Sequence, residues 1–206
     1  MLFAFALGMV SATAQNKVDP AIRLQFSILS KGAPLDVKSG GISRFEFLLS
    51  ELALKDSSGK WIPSEDWFAH LSAAEGKLHA DTVGSPSGDY QAIRFRVGLD
   101  PKTDLGDPAQ WAPGHPLHPD VNHLHWGWQG GYVHLACEGK SSRGPFSYHL
   151  AGQETPMIVE LPVRFHGGGP VTLAIQIDAD RILSMAEEKD APNATHSRPA
   201  MTSPSE

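Results

Sequence analysis

The sequence predicts an all-β fold, an antiparallel β-sandwich with Greek-key connections. Three observations carry that expectation. Apolar and polar residues alternate along most of the chain, as they do in strands that bury one face. Turn signals rich in Gly, Ser and Pro separate the alternating runs. Only one short stretch, close to the C-terminus, reads as a helix. Many short strands with frequent turns fit two packed sheets, and 206 residues suit one domain with a sizeable core.

The chain opens with "MLFAFALGMVSATAQN". Leu2 to Val10 is apolar, and Ala12-Thr13-Ala14 is an A-x-A cleavage pattern followed by Gln15. Residues 1–14 are therefore expected to be a secretory leader. No positive charge precedes the apolar run, which fits a start inside a longer leader. A plain hydrophobic strand is the competing reading. The run is too short to span a bilayer, and no later run is longer. A periplasmic, secreted or cell-surface protein with no stable membrane insertion is expected.

The domain is expected over residues 17–186. Leu24, Phe26 and Ile28 form its first apolar face, and Phe45, Phe47 and Leu49 the second. Ile93, Phe95 and Val97 repeat the pattern, followed by Val159, Leu161 and Val163, then Val171, Leu173, Ile175 and Ile177. Ser39-Gly40-Gly41, Ser57-Ser58-Gly59 and Gly167-Gly168-Gly169-Pro170 are among the turns. A long loop rich in Pro and Asp, Asp100 to Asn122, precedes the strand that carries histidine and tryptophan. A loop of that length inside a compact domain is usually functional. The short C-terminal helix is expected from Asp178 to Glu188. The polar, Pro-rich remainder, residues 187–206, reads as a disordered tail.

Charge narrows the partners. A net charge of −6 and a pI near 5.9 argue against nucleic acid. Lys and Arg occur singly, so no polybasic membrane-surface site is expected. The single cysteine, Cys137, excludes an intrachain disulfide. It continues the alternation of Val133 and Leu135, and no histidine follows it closely enough for a blue-copper centre. A buried small hydrophobe is its expected role.

Between His115 and Leu135, "HPLHPDVNHLHWGWQGGYVHL" holds five of the ten histidines. On an extended strand His123 and His125 would share a face, about 6.5–7 Å apart at Cα, within reach of one metal ion. His134 follows on the next run and His149 on the run after it, with His115 and His118 in the loop. Imidazole suits Zn, Cu, Fe and Ni, and the scarcity of carboxylates disfavours Ca and Mg. No H-E-x-x-H or G-x-S-x-G is present, and the segment lacks a glutamate to act as general base. A binding protein is expected rather than an enzyme. Trp111, Trp126 and Trp128 admit two other readings, core packing or platforms for sugar rings. The second would make a secreted carbohydrate- or surface-binding module.

The block Trp126-Gly127-Trp128-Gln129-Gly130-Gly131-Tyr132, then an apolar strand, then His149-Leu150-Ala151-Gly152, resembles a known family. It is similar to the methanobactin-associated copper-binding proteins, the MbnP family, and to the copper-repressible surface proteins of methanotrophs. Those carry W-x-W-x-x-G-Y, an apolar strand and an H-L-G-like segment. "FEFLLSELALKDSSGKWI", "GDYQAIRFRVGLDP" and "PVTLAIQIDADRIL" resemble the family's flanking strands, so the likeness spans most of Ala21 to Ser184. The chain departs from the pattern at two places. His125 stands where many members carry an aromatic residue, and Thr103 to Pro108 lacks a histidine that some members have.

The resemblance implies an exported protein that binds copper, as Cu(I), for storage, delivery or scavenging. It implies His149 as the first ligand; the histidine cluster of this chain adds His123 or His125 and a further histidine from the loop, His115 or His118, with His134 also a candidate. It also implies that Trp126 or Trp128 lines the site or is oxidised to kynurenine by a MauG-like dihaem enzyme. Kynurenine would offer the metal donors that indole lacks.

Overall fold

The computed structural model describes residues 6–7, 22–38, 41–82, 84, 87–127, 130–141, 144–152, 157–182 and 184. The expected leader cleavage site, Trp128 and the tail lie outside the described residues. The first eight strands are β1 (Ala6–Leu7), β2 (Ile22–Ser30), β3 (Ala33–Pro34), β4 (Ile42–Asp56), β5 (Trp61–Pro63), β6 (Phe68–Ser72), β7 (His79–Asp81) and β8 (Gly88–Val97). The loop that follows contains helical turns α1 (Pro101–Asp104) and α2 (Pro119–Asn122). After it come β9 (His125–Trp126), β10 (Gly131–Ser141), β11 (Gly144–Ala151), β12 (Met157–Gly167) and β13 (Val171–Asp178).

Two sheets pack as the expected sandwich. The smaller runs β1-β13-β2-β3 with β7 on β2. The larger runs β11-β10-β4-β8-β12, with β5 and β6 on β4 and β9 on β10. Antiparallel pairing predominates, but β2 and β13 are parallel, in register from Ile22 with Val171 to Leu29 with Asp178. Alternation cannot reveal this, because the side-chain period is two in either direction.

The inner faces are the ones the alternation marks. Along β2, Ile22, Leu24, Phe26 and Ile28 are buried and the residues between the first three pairs point outward. The Phe26 ring meets Phe47 and Phe95 of the larger sheet edge-on, with centroids 5.8 and 6.1 Å away, a favoured aromatic geometry. Cys137 is fully buried among them, and burial pushes its thiol up to about 12. The expected packing role holds.

β4 is the spine of the larger sheet. Residues 42–47 pair with β10 and residues 46–50 with β6. Its later half pairs with β8 and β5. The register slips between Ser50 and Ala53, where Glu51 adopts φ 53°. Such a bulge bends the strand and increases its twist.

A third layer covers the outer face of the larger sheet. Leu48, Tyr132, Val133 and Ala136 of the sheet pack with Leu99, Leu117 and Leu124 of the loop, flanked by Phe68, Trp111 and Trp126. The loop is more ordered than the sequence reading foresaw. Two α-turns and a 3-10 turn at Pro108–Gln110 each follow a capping side chain and open with proline. Proline at the first helical position loses nothing, since its missing N–H would be unpaired there. Turns this short carry no readable period. The C-terminal helix is present at 179–182 and at 184; Asp178, expected to open it, instead ends β13, and residues 183 and 185–188 lie outside the described residues.

Candidate metal centre

The six histidines of the sequence reading do not converge. Among the described residues no group of three or more His, Cys, Asp or Glu side chains stands ready to hold a metal. His123 and His125 do not share the face of one strand. His123 is the left-handed C-cap of α2, at φ 51°, and His125 begins β9. Asn122 forces the separation: its Oδ1 accepts from Leu124 N at 2.7 Å and its Nδ2 donates to Pro116 O at 2.8 Å. His125 is half-buried, edge-on to the Tyr132 ring at 4.8 Å, and burial lowers its pKa against Asp104 and Asp107.

Three others serve the scaffold. His118 caps α2, its Nδ1 accepting from Asp120 N at 3.2 Å. His115 accepts from Leu117 N at 3.1 Å and stacks flat on Trp111, centroids 4.3 Å apart. Burial lowers its pKa. His134 is buried with Asp104, their side-chain atoms 3.2 Å apart, and the same carboxylate oxygen accepts from Tyr132 N at 2.8 Å. Asp104 thereby fastens α1 to β10. The tryptophans are also engaged: Trp111 and Trp126 are half-buried, whereas the exposed large apolar side chains among the described residues are Leu105 and Ile158.

His149 stands apart from these. It lies on β11 opposite Ala136 of β10, which is opposite Glu46 of β4, which is opposite Ser72 of β6. Residues paired across a ladder share a face, so this row lies on the loop-covered side. A polar chain follows it. His149 Nε2 is 2.7 Å from Glu138 Oε1 and 3.3 Å from Ser147 Oγ. Arg44 donates to Glu138 Oε1 at 2.9 Å and to Glu46 Oε2 at 3.0 and 3.1 Å. Ser72 donates to Glu46 Oε1 at 3.2 Å. Burial works to raise the Glu138 pKa, but the hydrogen bond from His149 and the Arg44 charge bring it below its ordinary value. Trp126 meets the His149 ring edge-on at 4.8 Å, interplanar angle 86°.

The family model for MbnP matches residues 15–199. The chain belongs to the MbnP family. A solved structure, MbnP from Methylosinus trichosporium, is 18% identical and covers 75% of each chain, with a TM-score of 0.47. No curated protein matches. No described helix is long and apolar enough to cross a membrane.

In this MbnP-family protein the structure exposes residues that sequence reading missed. Glu138, Arg44 and Glu46 sit between core residues on alternating strands, and only the register brings them beside His149. His70 is the other. It lies on β6 opposite Leu48, so it too faces the loop layer. It is 2% exposed, and neither ring nitrogen has a hydrogen-bond partner. Burial, aided by Lys77, His123 and Arg44, lowers its pKa to about 4. A histidine inside the apolar run "WFAHLS" was the available signal.

Proposed function

We propose that this MbnP-family protein binds copper, as Cu(I), outside the cytoplasm and stores, delivers or scavenges it without catalysing a reaction. The observation that supports this most is the environment of His149. A neutral imidazole that donates from Nε2 to a carboxylate carries its lone pair on Nδ1, and metal-binding histidines are commonly oriented this way. Arg44 neutralises Glu138, so the carboxylate orients the ring without itself presenting a strong hard ligand. His149 is the residue that would hold the metal, with Trp126 as the wall of the site. Bound copper would be a soft monovalent ion, and imidazole is a donor that suits copper.

Oxidation of Trp126 or Trp128 to kynurenine by a MauG-like dihaem enzyme belongs to the same reading. At Trp126 the ring-opened product would add an arylamine and a ketone beside His149. Export rests on the leader pattern ending at Ala14.

Mass spectrometry of the protein purified from its native compartment, intact and after metal removal, tests the whole reading. One bound copper, an N-terminus at Gln15 and the mass increment of kynurenine on the Trp126–Trp128 peptide are expected. Copper without that increment would discard the modification alone. In titration with Cu(I), His149→Ala should weaken binding about 10–100-fold or more. Unchanged affinity removes His149 from the site.

A further inference from the structure

Arg44 lies between two carboxylates. Its Nη1 donates to Glu138 Oε1, and its Nε and Nη2 both donate to Glu46 Oε2. Among the described residues it is the only Lys or Arg that pairs with either acid. One guanidinium cannot balance two carboxylates. With His149 neutral, as a metal ligand must be, the cluster carries one net negative charge. That charge is held in place. The register sets Glu138 opposite Arg44, with Glu46 two residues further along the same face of β4. Ser72 fixes the other oxygen of Glu46, whose side chain is only 13% exposed, and charges so sheltered are weakly screened by salt. Apolar residues in place of a buried charged trio are often neutral or stabilising, so fold stability alone does not call for it.

We propose that Arg44 and Glu46 set the charge of the copper site and thereby select a monovalent ion over a divalent one. The inference rests on His149 as the copper ligand and adds two residues that act through charge, not as ligands. Attraction to the cluster grows in proportion to the charge of the ion. The Born cost of stripping its water grows as the square of that charge. One negative charge therefore offsets the cost for Cu(I) far better than for Zn(II). Without Arg44 two carboxylates would act together, and the preference would move towards the divalent ion. Glu138 contacts the His149 ring and orients it, whereas Glu46 is linked to the ring through Arg44 and Glu138. Charge and orientation can thus be separated.

The test uses the full chain, with Cu(I) delivered against a chromophoric competitor chelator and Zn(II) titrated separately. Glu46→Gln keeps the size and a hydrogen-bonding oxygen and removes one charge. It is expected to weaken Cu(I) binding about tenfold, with the His149 ring nitrogen resonances of the metal-free protein unmoved. Arg44→Met should shift the ratio of Zn(II) to Cu(I) affinity roughly tenfold or more towards Zn(II), and Arg44→Lys should restore it. A purely structural role would lower both affinities together. Wild-type Cu(I) affinity in Glu46→Gln overturns the proposal, as do displaced His149 resonances in that variant or an unchanged ratio in a folded Arg44→Met. If Arg44→Met does not fold, Glu46→Gln decides alone. A wild type that binds no Cu(I), or full affinity in His149→Ala, ends the copper reading and this inference with it. A loss in His149→Ala without one in Glu46→Gln leaves the copper reading standing alone.

Discussion

His118 and His70 are the two extremes of how this chain uses imidazole. His118 gives its Nδ1 to the backbone of α2, a task usually done by Asp, Asn or Ser. His118→Asn should therefore keep both fold and Cu(I) affinity, and His118→Ala should cost about 1 kcal/mol with affinity unchanged. Chemical denaturation with parallel copper titration separates these, and a drop in affinity for His118→Asn would make it a ligand after all. His70, with its pKa lowered to about 4 from 6.5, ties stability to pH. Between those values the unfolded chain takes up a proton that the folded one refuses, so stability falls as pH falls from about 6.5 to 4 and is unaffected above. In the metal-free protein this should remove on the order of 2 kcal/mol between pH 7 and pH 5. Urea unfolding at both values should show a steeper dependence in wild type than in His70→Leu, and equal dependence would refute the buried neutral ring. At this scale the sequence was partly legible. His149 stood out through its resemblance. His123 was misplaced because a left-handed cap interrupts the strand that two-residue spacing assumes, and His70 was hidden because one histidine in an apolar run looks like any packed residue.

At the scale of elements, the loop between β8 and β9 is held by a few specific joints. Gly98 starts it, at φ 105°, with its N–H on Leu48 O at 2.8 Å. The His134 ring packs against it so closely that a Cβ would come 2.5 Å from Nδ1. Gly98→Ala should destabilise the protein by roughly 2–3 kcal/mol, through a backbone conformation that L-residues resist and through displacement of His134 from Asp104. Thermal unfolding measures the cost, and a loss well under 1 kcal/mol would mean that the loop relaxes freely. The capped turns explain why the loop read as irregular. Asp100, Asp107 and His118 each precede a proline, which sequence shows as turn chemistry, not as helix. Leu99, Leu117 and Leu124 were equally unreadable as a core, since three leucines scattered through a polar loop have no period.

For the molecule as a whole, alternation predicted both inner faces because period two persists along β2, β12 and β13 and along parts of β4 and β8. It could not predict that β2 and β13, at opposite ends of the domain, zip together in parallel, nor that a third layer would close over the larger sheet. Contacts between such distant segments slow folding, since the intervening chain must be gathered first. They also make the sandwich hard to open in parts, and Cys137 reports on that. Its side chain points into the space between the sheets, on the face of β10 opposite Ala136 and the layer where copper is proposed. Two consequences follow for handling the protein. The thiol does not compete with imidazole for Cu(I), so alkylating reagents should leave metal binding intact. A small alkylating reagent should label Cys137 only when the sheets part, at a rate that tracks the opening equilibrium. Bound copper should slow labelling in proportion to its stabilisation, whereas rapid labelling of the folded protein would show that the core breathes. One buried sulfur thus serves as a stopwatch for how often the molecule comes apart.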